Sequence, residues 1–351
     1  MTRLRLAGPA DDALLRRLMR DNGMPSWVEM AIEREPSYFA AHGWHGRDWA
    51  VLAEDGDRLV GMYSAAVAPL HVNGVPAAVG YLGGLRVEAA QRHRIRHLRH
   101  GYASIRALAP VRPDLPWWYT VVAEENTAAR RLLEAGVRGL PRYRPLGGLT
   151  TFAIARARGR ACRQWRAARP AEVPQLLAFH AQHAAVHQLA PVLDDALVRR
   201  IGVEAFRVHE TDGRIAAVAA LWDQGAFKQV VARRYHPAIR WGRPLYNAYA
   251  ALARRVPLPA PGRRLPQTFL AFAAFAPGLL ADAAAAGAML RGLVAQCTTP
   301  VAAIGLHPAH PLLPAVAQLA PLRYRARIYA VEFDTPAGLD GRPIQPEVAL
   351  L

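Results

Sequence analysis

Two periods alternate along this chain. Apolar runs that read as strands are separated by stretches in which apolar residues recur every three or four positions, as in amphipathic helices. Ala50 to Glu54 and Leu59 to Val67 flank Asp55-Gly56, and Leu59 to Val72 and Val75 to Val87 flank Asn73-Gly74. Both dipeptides signal hairpins, because tight-turn positions need positive φ. Gln91 to His97 then form a polar loop, after which Leu98, Tyr102, Ile105 and Leu108 follow helical spacing. Pro116 to Val122 is a β-rich run ending in Glu124-Glu125-Asn126. Asn126 suits the N-cap of a helix over Thr127 to Ala135, and Gly136 suits its stop. Antiparallel hairpins followed by strand–helix–strand units predict a mixed α/β (α+β) fold that is not doubly wound.

The pattern recurs in the second half. Arg5-Leu6-Ala7-Gly8-Pro9-Ala10-Asp11 and Arg166-Ala167-Ala168-Arg169-Pro170-Ala171-Glu172 each run a short strand into a Pro-started helix with an acid in its first turn. Phe206 to Glu210, Asp212-Gly213 and Ile215 to Leu221 repeat the first hairpin, and Arg323-Tyr324-Arg325 repeats Arg142-Tyr143-Arg144 before a closing strand. Two tandem domains are expected, at residues 1–155 and 164–335, with a basic linker at 156–163 and a tail at 336–351. The second domain is longer, and its extra strand and helix are placed at Thr268 to Cys297.

That segment also holds the longest apolar region, Thr268 to Leu290. Pro277-Gly278 and Asp282 interrupt it, so it reads as a strand, a turn and an Ala-rich helix, where a membrane span needs about 20 apolar residues in a row. No membrane partner is expected. The net charge is +17, yet Lys228 is the only lysine among 44 basic residues, and the arginines are spread along the chain. Nucleic-acid binding is therefore the weaker reading of the charge. Cys162 and Cys297 cannot build a disulfide framework, and the start of the chain has no signal-like apolar stretch, which fits a cytoplasmic location.

Two features point to a ligand. Gly83-Gly84 inside a long strand suggests a bulge or a close approach by another chain or molecule. The basic loop after that strand opens a helix N-terminus, whose free N–H groups suit phosphate. A hairpin into Tyr81-Leu82-Gly83-Gly84-Leu85-Arg86-Val87, an Arg-rich loop, a helix, a strand and then Asn126-Thr127-Ala128-Ala129-Arg130-Arg131-Leu132-Leu133 resembles the GNAT superfamily of acyl-CoA N-acyltransferases. The resemblance covers residues 3 to 154 and, more faintly, 164 to 333. The tandem layout is similar to that of the mycothiol synthases, with no residue pointing to their substrate.

The resemblance implies that a bulged fourth strand splays from the fifth and that pantetheine lies in the opening. Donor contacts would then fall on Leu85, Arg86, Val87, the loop residues Arg92, His93, Arg94, Ile95, Arg96 and His97, and Asn126. Acetyl-CoA or another acyl-CoA would be the co-substrate, with no metal, and a small-molecule or peptide amine the acceptor. This chain departs from the family's loop, which carries two small residues. Arg94 and Arg96, or Ile95 and His97, stand at those places, and Leu133 replaces a tyrosine common in the later helix. A non-catalytic scaffold or acyl-CoA sensor is therefore the alternative to an N-acetyltransferase. Tyr81, on the same strand face as Gly83 and Leu85, and Glu124, ending the fifth strand, are the candidate acid and base; Tyr119 and Tyr143 are less favoured. His307-Pro308-Ala309-His310 reads as a turn before a helix and not as a metal pair.

Overall fold

The computed structural model describes residues 2–21, 28–56, 58–88, 95–110, 115, 117–319 and 322–351. The first half runs β1 (Thr2–Leu6), α1 (Asp12–Asp21), β2 (Val28–Glu33), β3 (Arg47–Asp55), β4 (Arg58–Val72), β5 (Val75–Val87), α2 (Ile95–Ala107), β6 (Trp117–Ala123), α3 (Thr127–Glu134) and β7 (Arg142–Ala155). The second runs β8 (Trp165–Ala167), α4 (Val173–Ala184), α5 (Asp195–Ile201), β9 (Phe206–Thr211), β10 (Arg214–Asp223), β11 (Gln229–Tyr235), α6 (Pro237–Leu252), β12 (Gln267–Phe275), α7 (Pro277–Leu280), α8 (Ala283–Ala295), β13 (Val301–Leu306), α9 (Leu313–Gln318) and β14 (Leu322–Glu332). Among the described residues, no helix is long and apolar enough to cross a membrane.

One mixed, mainly antiparallel sheet holds 12 strands in the order β1-β3-β4-β5-β6-β14-β7-β13-β12-β10-β9-β8. The order reads alike from both ends. The two repeated sequence starts form the same local structure: Arg5 pairs with Asp11 and Glu54, at 2.7 and 2.8 Å, and Arg166 with Glu172 and Glu210, at 2.6 and 2.5 Å. Each acid also accepts a backbone N–H at the helix start, from Gly8 or Arg169. These charge-assisted bonds hold Asp11 below the usual carboxylate range and Glu172 down to about 2.

The halves interlock at the centre. β6 does not pair with β7, the next strand in the chain; it pairs with β14, and β7 lies between β14 and β13. The border between the expected domains therefore falls inside one continuous sheet. The segment 156–163, expected as an exposed linker, is mostly exposed while its backbone runs along α8: Arg160 N donates to Arg291 O at 3.0 Å, and a Cβ on Gly159 would lie 2.5 Å from Ala295 N. The extra strand and helix are also elsewhere than expected. β12 and α8 take the same sheet position as β5 and α2, whereas β11 leaves the main sheet to pair with β2 of the first half in a two-stranded ribbon, followed by α6.

One face of the first half's sheet presents Trp49, Val51, Tyr63, Leu82, Trp118 and Tyr329 to Ile105 of α2. The opposite face carries α1 over Leu52 and Met62. Towards the centre of the molecule that same face presents Val79, Tyr81, Tyr119 and Ile328, which pack with Leu189 and with Ile344, Val348 and Leu351.

Candidate active site

β5 and β6 run parallel for three rungs, Gly80↔Trp118, Tyr81↔Tyr119 and Leu82↔Thr120. The Thr120 hydroxyl donates to Leu82 O at 2.6 Å across the last of them. This is the last β5–β6 rung among the described residues, although β5 runs on to Val87 beside β4 and β6 to Ala123 beside β14. The bulge lies at this point: Ser64↔Gly83 is followed by Met62↔Arg86, which leaves one extra residue on β5. Gly84 sits there at φ +61°, a left-handed conformation that glycine adopts without steric cost. Leu85, next on the open edge, is 46% exposed.

The second half repeats this geometry with a different outcome. β12 and β13 pair for three rungs, ending at Phe269↔Ala303, and β12 is bulged between Ala271 and Ala274. Phe272 occupies the place of Gly84, at φ +50°. Here the chain's own last residues fill the opening. Glu347 Oε2 accepts from Phe272 N at 2.6 Å, while Gln345 accepts from His307 N and donates to Gly305 O, both at 2.8 Å. Val348 lies against Gly305, so close that a Cβ there would be 2.8 Å from it. Backbone groups freed on both edges of the second opening are thus satisfied from within the protein.

A polar cluster lies beneath the first opening, on the face opposite α2. The Tyr81 ring stacks on His45 with centroids 4.9 Å apart and tilts against Tyr119 at the same distance, and Tyr119 Oη lies 3.4 Å from His45 Nε2. Burial pushes Tyr81 up to about 12. Burial, with the charge of Lys228 adding to it, pushes His45 down to about 4. Lys228 is buried, donates to Ala349 O at 3.1 Å and Leu351 O at 2.5 Å, and is pushed down to about 7 by desolvation and by Arg34. Arg34, in the same cluster, has a buried Nε without a hydrogen-bond partner. His45, Lys228, Arg34 and Glu347 were invisible as a group in the sequence, because they come from four separate segments. The tail's Lys228-facing oxygens gave no sequence signal at all.

The expected site residues are only partly brought together. Tyr81, Leu85, Arg86 and Val87 all lie on β5. Glu124 is on the other side of the sheet: its carboxylate approaches Arg327 at 4.0 Å, and Arg327 also meets Glu134, which accepts from Tyr329 of the α2 face. There Glu124 borders a cavity of about 560 Å³ over β7 and β14, lined also by Arg323, Arg325 and Gly148. Asn126 caps α3, its Oδ1 accepting from Ala129 N at 3.2 Å. Arg92, His93 and Arg94 lie outside the described residues, as does the side chain of Ile95. Arg96 is exposed and 3.6 Å from Asp55 at the β3–β4 turn, and His97 is buried against Thr2, 2.8 Å away. Tyr119 belongs to the Tyr81 cluster, whereas Tyr143 packs on the α2 face with Tyr102. Leu133 packs in that same core.

Solved structures share this arrangement. N-myristoyltransferase from Saccharomyces cerevisiae with bound myristoyl-CoA superposes with a TM-score of 0.60 over 97% of this chain and 85% of that one, at 11% identity. A GCN5-related N-acetyltransferase from Sphaerobacter thermophilus gives 0.55 over 98% and 97%, at 13% identity. One from Anabaena variabilis gives 0.52 over 94% and 72%, at 8% identity. The chain has a GNAT-like fold. No protein-family profile and no curated protein sequence matches it. The parted β5–β6 and β12–β13 pairs take corresponding places in the two halves of this sheet.

Proposed function

We propose that this protein is an acyl-CoA-dependent N-acyltransferase that takes its donor in the first half and its amine acceptor on the face lined by Tyr81, Tyr119 and His45. The observation that carries this reading is the contrast between the two openings: one is closed by Gln345 and Glu347, whereas at the other the β5–β6 ladder ends at Leu82↔Thr120 and Leu85 stays exposed. The donor's amide-bearing arm would pair with that edge, and backbone N–H groups at the bulge would face the thioester oxygen as negative charge develops.

The chain's own groups can then handle the protons. The substrate ammonium first loses a proton to the neutral cluster around His45. The free amine attacks the thioester carbonyl, the C–N bond forms and the C–S bond breaks. Tyr81, kept protonated by burial, gives its proton to the departing thiolate and is restored by the proton leaving the new amide nitrogen. Acetyl and longer acyl chains both fit this scheme, and a cytoplasmic protein with no metal is consistent with it.

Thermal unfolding with acetyl-CoA and with myristoyl-CoA tests donor binding. A donor at 100 times its dissociation constant should add about 2.7 kcal/mol of stability, and no shift with either would remove the proposal. Replacement of both small residues in the phosphate loop favours a second reading, a donor-binding protein without turnover. Product formation against a panel of amines separates the two once binding is seen.

A further inference from the structure

The ribbon of β2 and β11 ends in a helix whose apolar side faces outward. On α6, Trp241, Leu245, Tyr249 and Leu252 are 84, 79, 51 and 88% exposed. Their spacing of four, four and three puts them on one face. The other face is the one that holds the helix to the protein: Tyr246 Oη donates to Val256 O, Asn247 bonds Leu258 twice, and Ala250 is buried. The outward face is thus a convex ridge about 17 Å long from Trp241 to Leu252, at 1.5 Å per residue, on a helix of 16 residues. Isolated exposed apolar residues are ordinary on protein surfaces, but a contiguous row of four large ones marks a contact.

The charge along the segment that carries the ridge is of one sign. No acidic residue occurs between Asp223 and Asp282, a stretch that contains Lys228 and eight arginines. Arg233 and Arg234 are answered by Glu33 and Glu29 of β2. Arg240, beside Trp241, Arg254, just past Leu252, and Arg263 and Arg264, beside β11, are exposed and have no ion pair among the described residues.

We propose that α6 seats the protein on an anionic lipid bilayer, with Trp241, Leu245, Tyr249 and Leu252 in the interfacial region and the flanking arginines on the headgroup phosphates. An amphipathic helix with aromatic and leucine side chains on one face and arginines around it is the form that binds in the plane of a membrane surface. A protein partner would need a groove to receive a single convex helix, whereas a bilayer accepts it without one. This inference does not rest on acyl transfer, and it reverses the expectation that no membrane is involved.

Co-sedimentation of the full chain with vesicles tests it. Vesicles of phosphatidylglycerol and phosphatidylcholine should bind the protein, and pure phosphatidylcholine vesicles should bind it at least about tenfold more weakly. The double variant Trp241→Ser with Leu245→Ser should lose at least about tenfold of the anionic-vesicle affinity, and Arg240→Gln with Arg254→Gln should weaken it and flatten its salt dependence. All four side chains are exposed, so the fold should survive, and thermal unfolding checks this; the arginine pair remains as a test if the apolar pair fails to fold. Failure to bind anionic vesicles, or binding that neither variant changes, would overturn the proposal. So would a concentration-dependent dimer abolished by the Trp241 and Leu245 changes, which would give the face to a second copy of the chain.

Discussion

Tyr81, Tyr119 and His45 stack within about a ring's width of one another, and burial acts on them in a common direction, towards the neutral form. A neutral phenol can give a proton, and the positive charges of Arg34 and Lys228 beside the rings help keep His45 neutral. Tyr81→Phe should keep donor affinity and lower kcat by about 10²-fold, whereas Glu124→Gln, on the far side of the sheet, should change kcat by less than about twofold. Steady-state kinetics beside donor titration checks both. Strand alternation sets the face of Tyr81 up to Gly83, where the bulge interrupts it. The face of Glu124 could not be read, because proximity to the end of β6 says nothing about which way a loop carboxylate turns.

Buried imidazoles also give the fold a pH dependence. His45 and His307 are pushed down to about 4 and His180 and His310 to about 3, each chiefly by burial. His187, His307 and His310 lie together, ring centroids 5.2 to 6.3 Å apart, with no carboxylate pairing with them among the described ion pairs. The folded pKa values lie below the ordinary 6.5, so the unfolded chain binds more protons between 6.5 and about 4 or 3. Stability is therefore full above pH 6.5 and falls as pH drops through that window. A melting temperature that stays flat from pH 7 to 4 would contradict the burial of these rings.

At the level of elements, the two bulged strands show how one backbone geometry is solved with two residue types. Gly84 occupies its left-handed position freely, and Phe272 occupies the corresponding one at a cost of about 1–3 kcal/mol. Its buried ring outweighs that cost, since removing a buried Phe side chain loses about 3–5 kcal/mol. Phe272→Gly should therefore destabilise the protein on balance, by roughly 2 kcal/mol, as measured by denaturant unfolding. Glu347→Ala should cost about 1–3 kcal/mol by leaving Phe272 N–H without its acceptor, with donor affinity unchanged. The hairpins, the bulge at Gly84 and the Asn126 cap were readable because turn chemistry and capping are local. The bulge at Phe272 was not, because no glycine marks it, and nothing in the pattern of β11 says which strand it pairs with.

For the whole molecule, the decisive feature is the exchange at the centre, where β14 lies between β6 and β7. The repeated starts at Arg5 and Arg166 revealed two similar halves, yet nothing local encodes pairing between strands about 180 residues apart in the chain. Residues 1–160 alone would leave β6 and β7 with unpaired edges that the intact chain covers. That fragment should aggregate or remain unfolded by itself and be rescued by co-expression with residues 161–351. The most direct test of the account is hydrogen exchange with and without acyl-CoA. Donor should slow exchange at Gly83 to Val87 and leave Leu270 to Phe275 unchanged; protection of the second segment, or of neither, would contradict a donor site in the first opening.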